Sequence, residues 1–297
     1  MRCARSGERR AWSCSRFRPA EAVQRVKLSV GVWDALSARL AERAGFELLF
    51  LSGFALAGTQ LGEPDFGLLT QTETLEAARR ITAAVRTPLI VDGDTGHGGP
   101  QNAQRLVREL VRIGAAGVLL EDQVWPKRCG HMRGKEVIRA EEHAQKIRAA
   151  ADARGSARFT IIGRTDARAP LGLDEAIRRG RLYREAGADL IFVEAPTSRD
   201  ELARIGREVP GPLMANMVED GATPILPLAE LAALGFEYVV YPLSGLLGAA
   251  RALERAFREL AAKGQSGDDR EARMSFDEFT ALVGLPEKYA AAEKYKA

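Results

Sequence analysis

Gly117-Val118-Leu119-Leu120-Glu121-Asp122 is an apolar run that ends abruptly on two acids. Four apolar residues without alternation suit a strand covered on both faces. Before it, residues 102–113 place apolar groups at helical spacing. After it comes Gln123-Val124-Trp125-Pro126-Lys127-Arg128-Cys129-Gly130-His131. The chain has three cysteines and three histidines, and one of each lies here. Lys127 and Arg128 put cationic charge beside Cys129, a setting that favours a low-pKa thiol.

The same unit recurs along the chain. Apolar runs lie at 27–32, 48–51, 88–91, 117–120, 159–163, 190–193, 212–215 and 238–241. Stretches of helical period occupy 35–44, 72–85, 102–113, 140–153, 173–186, 199–208 and 227–234. Eight strands joined by seven helical connections predict an α/β fold, a closed (β/α)8 TIM barrel. An open doubly wound sheet is the alternative, and it more commonly has five or six strands. Polar residues collect where the runs end: Ser52, Asp92, Asp94, Glu121, Asp122, Arg164, Asp166, Glu194, Asn216 and Glu219. In a barrel these share the C-terminal mouth, where catalysis takes place.

This patterning divides the chain into four parts. Residues 1–25 are a basic extension expected to be disordered, and 26–262 form the barrel domain. Residues 263–273 form a linker, and 274–297 a helical tail. Phe276, Phe279, Leu282, Val283 and Leu285 make that tail apolar, so it is expected to pack on a neighbouring subunit.

Charge and composition remove several function classes. The 297 residues carry a net charge of +3, but six arginines and one acid in residues 1–20 account for +5. The body is therefore near −2, with no basic field for nucleic acid. No 18-residue apolar stretch predicts a membrane span. Three irregularly spaced cysteines make no disulfide framework, and a reducing, cytoplasmic setting is the default. The basic head lacks the apolar segment of a secretory signal. An organellar transit peptide is an alternative reading of it.

Asp92-Gly93-Asp94 follows the third run, and carboxylates at i and i+2 point the same way while the chain stays extended. With Glu121 and Asp65 they are candidates for an all-oxygen site for Mg²⁺ or Mn²⁺. The plainer alternative is a strand-end turn whose acids cap helices. His97 is a ligand, a substrate donor or a loop histidine. His131, beside Cys129 and Lys127, is placed to hold a carboxylate or stabilise a thiolate. His143 sits in a charged helix and is expected on a solvated face. Arg164 at a barrel mouth needs an anion, either an acid neighbour or a substrate carboxylate. Asn216 and Glu219 are candidates to orient substrate oxygens, and Ser52-Gly53 offers a hydroxyl and backbone N–H groups.

Taken together, Leu51-Ser52-Gly53, Gly62–Asp65, Asp92–Gly96, Glu121-Asp122-Gln123, Lys127-Arg128-Cys129-Gly130-His131, Arg164–Ala167, Ala215-Asn216-Met217 and Tyr241–Ser244 resemble the isocitrate lyase and phosphoenolpyruvate mutase superfamily. The resemblance runs from about residue 26 to the C-terminus. The Lys-Arg-Cys-Gly-His piece is similar to the carbon–carbon lyases. The compact length resembles the 2-methylisocitrate and 2,3-dimethylmalate lyases.

The resemblance implies Mg²⁺ at Asp92, Asp94, Glu121 and Asp65, some of them through water. It implies a small 2-hydroxy or 2-oxo acid substrate held by Ser52, Gly53, Phe54, Asp92, Arg128, Gly130, Arg164, Asn216 and Glu219. It also implies a proton-donating Cys129 supported by Lys127, His131, Arg164 and Glu194, a loop 123–135 that closes over substrate, and a homotetramer that exchanges C-terminal helices. Two residues depart from the pattern. Phe50 stands where these lyases usually carry tyrosine, and a phenyl ring moves no proton. His97 stands where the short lyases tend to have an aromatic residue. Phosphonate mutase or oxaloacetate-type hydrolase chemistry, and a non-catalytic acid-binding protein, remain rival readings.

Overall fold

The computed structural model describes residues 26–130, 132, 134–267 and 273–296. The basic extension expected at 1–25, His131 and part of the expected linker lie outside these residues. The strands are β1 (Lys27–Val32), β2 (Leu48–Leu51), β3 (Leu89–Asp92), β4 (Gly117–Glu121), β5 (Thr160–Thr165), β6 (Leu190–Val193), β7 (Leu213–Asn216) and β8 (Tyr238–Tyr241). Each pairs in parallel with the next, and β8 pairs with β1 to close the barrel.

Four strands reach one or two residues further than their apolar runs. Asp92 pairs with Leu119, Glu121 with Arg164, Thr165 with Val193 and Asn216 with Val240. Apolarity marks burial, whereas the ladder follows backbone pairing, so the polar residues belong to the strands themselves. Their side chains continue the alternation of the barrel. Phe50, Ile90, Leu119, Ile162, Phe192 and Met214 pack together as the inner core. Two residues later on the same strands or just past their ends stand Ser52, Asp92, Glu121, Arg164, Glu194 and Asn216. A period of two puts each of them on the same inward face.

The intervening residues face outward. Leu49, Val91, Val118, Ile161, Ile191 and Val239 join a second core with the surrounding helices. These are α1 (Ala35–Arg43), α2 (Gly53–Gln60), α3 (Gln71–Ala84), α4 (Pro100–Arg112), α5 (Ala140–Arg154), α6 (Arg168–Leu171), α7 (Leu173–Glu185), α8 (Arg199–Glu208) and α9 (Leu228–Ala233). In α4, Ala103, Leu106, Val107 and Leu110 are buried at helical spacing, so its apolar stripe faces the strands. A Thr70–Glu73 capping box starts α3, satisfying amides that the first turn leaves open. The sequence pattern did not anticipate α2, because Gly53-Phe54-Ala55-Leu56-Ala57 is apolar all round and shows no stripe.

After β8 come α10 (Ser244–Lys263), α11 (Phe276–Leu282) and α12 (Leu285–Lys294). None of the three buries a residue. Leu253, Phe257 and Phe276 stand exposed. The tail does touch its own barrel: Arg39 of α1 donates to the Leu282 carbonyl at 3.0 Å. No described helix is long and apolar enough to cross a membrane.

Candidate active site

The polar layer at the mouth is built around two cations. Arg164, at the end of β5, meets three carboxylates. Its Nε and Nη2 lie 2.8 and 3.1 Å from the two oxygens of Asp166, Nη1 lies 3.2 Å from Glu121, and Nη2 lies 3.2 Å from Glu194. Burial opposes its charge, but Asp166, Glu121 and Glu194 outweigh burial and keep the guanidinium cationic. Of the two anions expected for Arg164, the structure supplies the acid neighbours, and the guanidinium also lines the cavity.

The second cation is Lys127, which the 123–137 loop carries into the barrel. Its Nζ lies 2.6 Å from Asp65 Oδ1 and 2.7 Å from Asp94 Oδ1. Burial works against the ammonium, and Asp94, Asp65, Glu121 and Asp92 more than restore it. For Asp65 and Asp94, burial raises the carboxyl pKa more than Lys127 lowers it. Burial drives Glu121 well above the usual carboxylate range despite Arg164. Asp65, Asp94, Glu121, Lys127 and Arg164 are therefore all shifted toward the protonated form.

Asp92 and Asp94 converge, though not through the extended chain expected. Asp94 has φ 49°, a left-handed turn, and its amide donates to Asp92 Oδ1 at 3.1 Å. Gly93 between them leaves no room for a side chain: a Cβ would stand 2.6 Å from Val118 and 2.8 Å from the Leu119 carbonyl. Gly53 opens α2 with its amide 3.4 Å from Asp92 Oδ2. Asp92, Asp94 and Glu121 offer oxygen donors alone, and the buried Glu121 Oε1 has no hydrogen-bond partner among the described residues. That donor set suits a hard divalent cation, which keeps water or substrate among its ligands. Among the described residues no three His, Cys, Asp or Glu side chains form a ready-made cage, and Asp65 and Asp94 are both engaged by Lys127.

The loop presents Cys129 to this layer. The Gln123 side chain, which the sequence pattern did not single out, clasps the backbone of Arg128. Its amide donates to the Arg128 carbonyl at 2.8 Å, and its oxygen accepts from the Arg128 amide at 3.0 Å. The Cys129 amide donates to the Asp65 carbonyl at 3.2 Å. Cys129, Gly130, Ser52, Phe54, Asp65, Asp92, Lys127, Arg164, Glu194 and Asn216 then line one cavity of about 40 Å³, whose apolar wall includes Phe50, Phe192, Val218, Val240 and Leu243. Asn216 Nδ2 sits 3.4 Å from both Glu194 oxygens.

Three expected residues stand elsewhere. Arg128 points away, donating to the Gly134 carbonyl at 3.0 Å and lying over the Phe66 ring. Glu219 accepts from the Ser244 hydroxyl at the start of α10 and does not line the cavity. His143 is fully buried, not solvated, with its ring edge-on to Tyr183 at 4.6 Å. A charged helix still has an inner face, and residue 143 falls on it with Ile147 and Ala150. His97 is held neutral, because burial lowers its pKa to about 4.

A family model described as phosphoenolpyruvate phosphomutase matches residues 22–261. The chain belongs to the phosphoenolpyruvate mutase/isocitrate lyase superfamily. Within it, the chain is 51% identical over 270 residues to the petal death protein of Dianthus caryophyllus, covering 91% of this chain and 85% of that protein. It is 46% identical to the chloroplastic carboxyvinyl-carboxyphosphonate phosphorylmutase of Arabidopsis thaliana, covering 95% and 84%. It is 41% identical to 2,3-dimethylmalate lyase of Eubacterium barkeri, covering 92% and 94%.

Among solved superfamily structures, 2,3-dimethylmalate lyase superposes with a TM-score of 0.86 at 36% identity, covering 93% and 94%. Oxaloacetate acetylhydrolase with 3,3-difluorooxalacetate gives 0.86 at 33%, covering 91% and 92%. Phosphonopyruvate hydrolase, solved with oxalate and Mg²⁺, gives 0.82 at 32%, covering 92% and 99%. Superfamily members thus include lyases, mutases and hydrolases of small acids.

Proposed function

We propose that this superfamily member is a divalent-cation-dependent carbon–carbon lyase. Its substrate is a 2-hydroxy acid, cleaved to pyruvate or a related 2-oxo acid plus a succinate-like acid when it is a tricarboxylate, or plus a propionate-like acid when it is a substituted malate. The observation that carries this reading is the Cys129 thiol in the wall of the cavity that Asp92, Arg164 and Ser52 also line. Asp92, Asp94 and Glu121 would hold Mg²⁺ or Mn²⁺, which supplies a Lewis acid for the negative oxygen that develops during cleavage.

This chain's own groups do the remainder. The Ser52 hydroxyl, the first amides of α2 and the Arg164 guanidinium receive the carboxylate of the 2-oxo acid half. Lys127 and Asn216 face the other half, with His131 from outside the described residues. As the carbon–carbon bond breaks, the Cys129 S–H delivers its proton to the departing carbon, and Lys127, which lines the same cavity, favours the thiolate left behind. The docked loop excludes water. Phe50 takes no part in proton transfer. His97 is neutral and its Nε2 has no hydrogen-bond partner among the described residues, but it does not line the cavity and burial makes it a weak base, so the hydroxyl proton needs another acceptor.

Oxaloacetate hydrolysis is the second reading, because a solved oxaloacetate acetylhydrolase shares this fold at 33% identity. The test is release of pyruvate, glyoxylate or oxalate from 2,3-dimethylmalate, 2-methylisocitrate, isocitrate and oxaloacetate, with Mg²⁺ and with a chelator. The lyase reading expects Mg²⁺-dependent 2-oxo acid release that falls by about 10²–10⁴-fold in Cys129→Ala. No release from the first three acids overturns it, and oxalate from the fourth then selects hydrolysis.

The reading extends to setting and assembly. A reducing compartment such as the cytoplasm keeps Cys129 a thiol. A second copy covers the exposed apolar faces of α10–α12, in a homotetramer. Sedimentation at micromolar concentration checks this, and a monomer there rejects it.

A further inference from the structure

Lys135 closes the Cys129 loop from its far end. Its ammonium is buried, lies 3.0 Å from Asp166 Oδ1 and donates to the Gly130 carbonyl. Gly130 follows Cys129 and presses on the mouth so closely that a Cβ there would stand 2.5 Å from Arg164 Nη2 and from Glu194 Cδ. Asp166 is the carboxylate that grips Arg164 with both oxygens, and its own amide donates to Asp122 Oδ1 at 2.8 Å. Val137, two residues beyond Lys135, bridges to Gln123 at the other root of the loop.

Neither Lys135 nor Asp166 lines the cavity, so contact with substrate does not account for either. A buried ammonium is unfavourable without partners. The two it has are the backbone next to the thiol and the acid that orients the arginine.

We propose that Lys135 is a positioning residue. Its bridge from Gly130 to Asp166 sets the docked loop, aims Cys129 at the acid held by Arg164, and makes docking depend on an intact Arg164–Asp166 pair. The kinetic consequence rests on Cys129 being the proton donor. The docking itself does not.

Two readouts separate these. The first is the rate at which iodoacetamide alkylates Cys129 in the full chain with Mg²⁺ and saturating oxalate. Peptide mass mapping distinguishes Cys129 from Cys3 and Cys14. Lys135→Met is expected to speed alkylation about tenfold, because the loop opens more often, whereas Lys135→Arg keeps the bridge and stays within about threefold of the parent. The second readout is turnover, where Lys135→Met lowers kcat about tenfold or more with little change in KM.

Equal alkylation in Lys135→Met and the parent overturns the proposal, as does a Lys135→Arg variant as reactive as Lys135→Met. If circular dichroism shows Lys135→Met unfolded, Lys135→Gln replaces it under the same criteria. Should the parent cleave none of the acids, the lyase reading fails and alkylation still decides the bridge.

Discussion

Lys127 and Asp65 form a buried ion pair across 62 residues of sequence, with Nζ 2.6 Å from Oδ1 and side chains only 3% and 7% exposed. The pair pins the loop after β4 to the loop after α2. Lys127→Met leaves Asp65 and Asp94 without that ammonium, a loss of about 3–5 kcal/mol for a broken buried pair. That exceeds what holds a surface loop down, so residues 123–137 are expected to undock and become open to protease, while barrel unfolding shifts little. Limited proteolysis beside a urea titration checks this, and unchanged loop protection counts against it.

Gly130 admits no side chain where it touches Arg164 and Glu194. Gly130→Ala is expected to hold the loop out by about an ångström and to lower kcat/KM by about 10²-fold, as small misplacements do. The barrel's melting temperature stays as before. Steady-state kinetics on the accepted acid, paired with calorimetry, measure both. Full activity in the variant contradicts the docked position of Cys129.

Asp122 is held from four sides behind the mouth. It accepts from Tyr183 Oη at 2.6 Å and, each at 2.8 Å, from Thr165 Oγ1, Arg179 Nη1 and the Asp166 amide. Burial pushes the Tyr183 phenol well above its usual range and Asp122 adds to this, so the phenol remains a donor. Tyr183→Phe removes one charge-assisted bond and is expected to cost about 1.5–3 kcal/mol in urea unfolding. A loss under half a kilocalorie shows that the other three donors compensate.

Burial lowers the His143 pKa from 6.5 to about 4, against Asp122, which raises it. Folding therefore favours neutral imidazole. Above pH 6.5 both states are neutral and the full stability is present. As the pH falls from 6.5 toward 4 the unfolded chain takes up a proton that the folded chain refuses, and stability drops by up to about 3 kcal/mol. Below about 4 both are protonated and this loss levels off. His143→Gln is expected to flatten that part of the stability curve, measured by urea titrations at several pH values. An unchanged slope places the proton uptake on another group.

The barrel and its polar ring were legible in the residues themselves. Leu48-Phe50-Ser52, Ile90-Asp92, Leu119-Glu121, Ile162-Arg164, Phe192-Glu194 and Met214-Asn216 each step by two. Strands apolar on both faces have to be wrapped by helices, and a period of two carries the inner face directly into the polar layer. Backbone geometry of single residues therefore sufficed for these six strands, whereas Asp122, Asp166 and Glu219, expected at the mouth on the same ground, do not line the cavity.

Pairings across the fold needed the closed barrel. The Lys127–Asp65 pair, the Lys135 bridge to Asp166 and the turning of Glu219 to Ser244 all join segments whose spacing in sequence has no period. Whether a polar residue meets substrate, a counter-ion or solvent depends on which other segment arrives beside it. Local propensity carries no information about that arrival. Only the tertiary structure decided it.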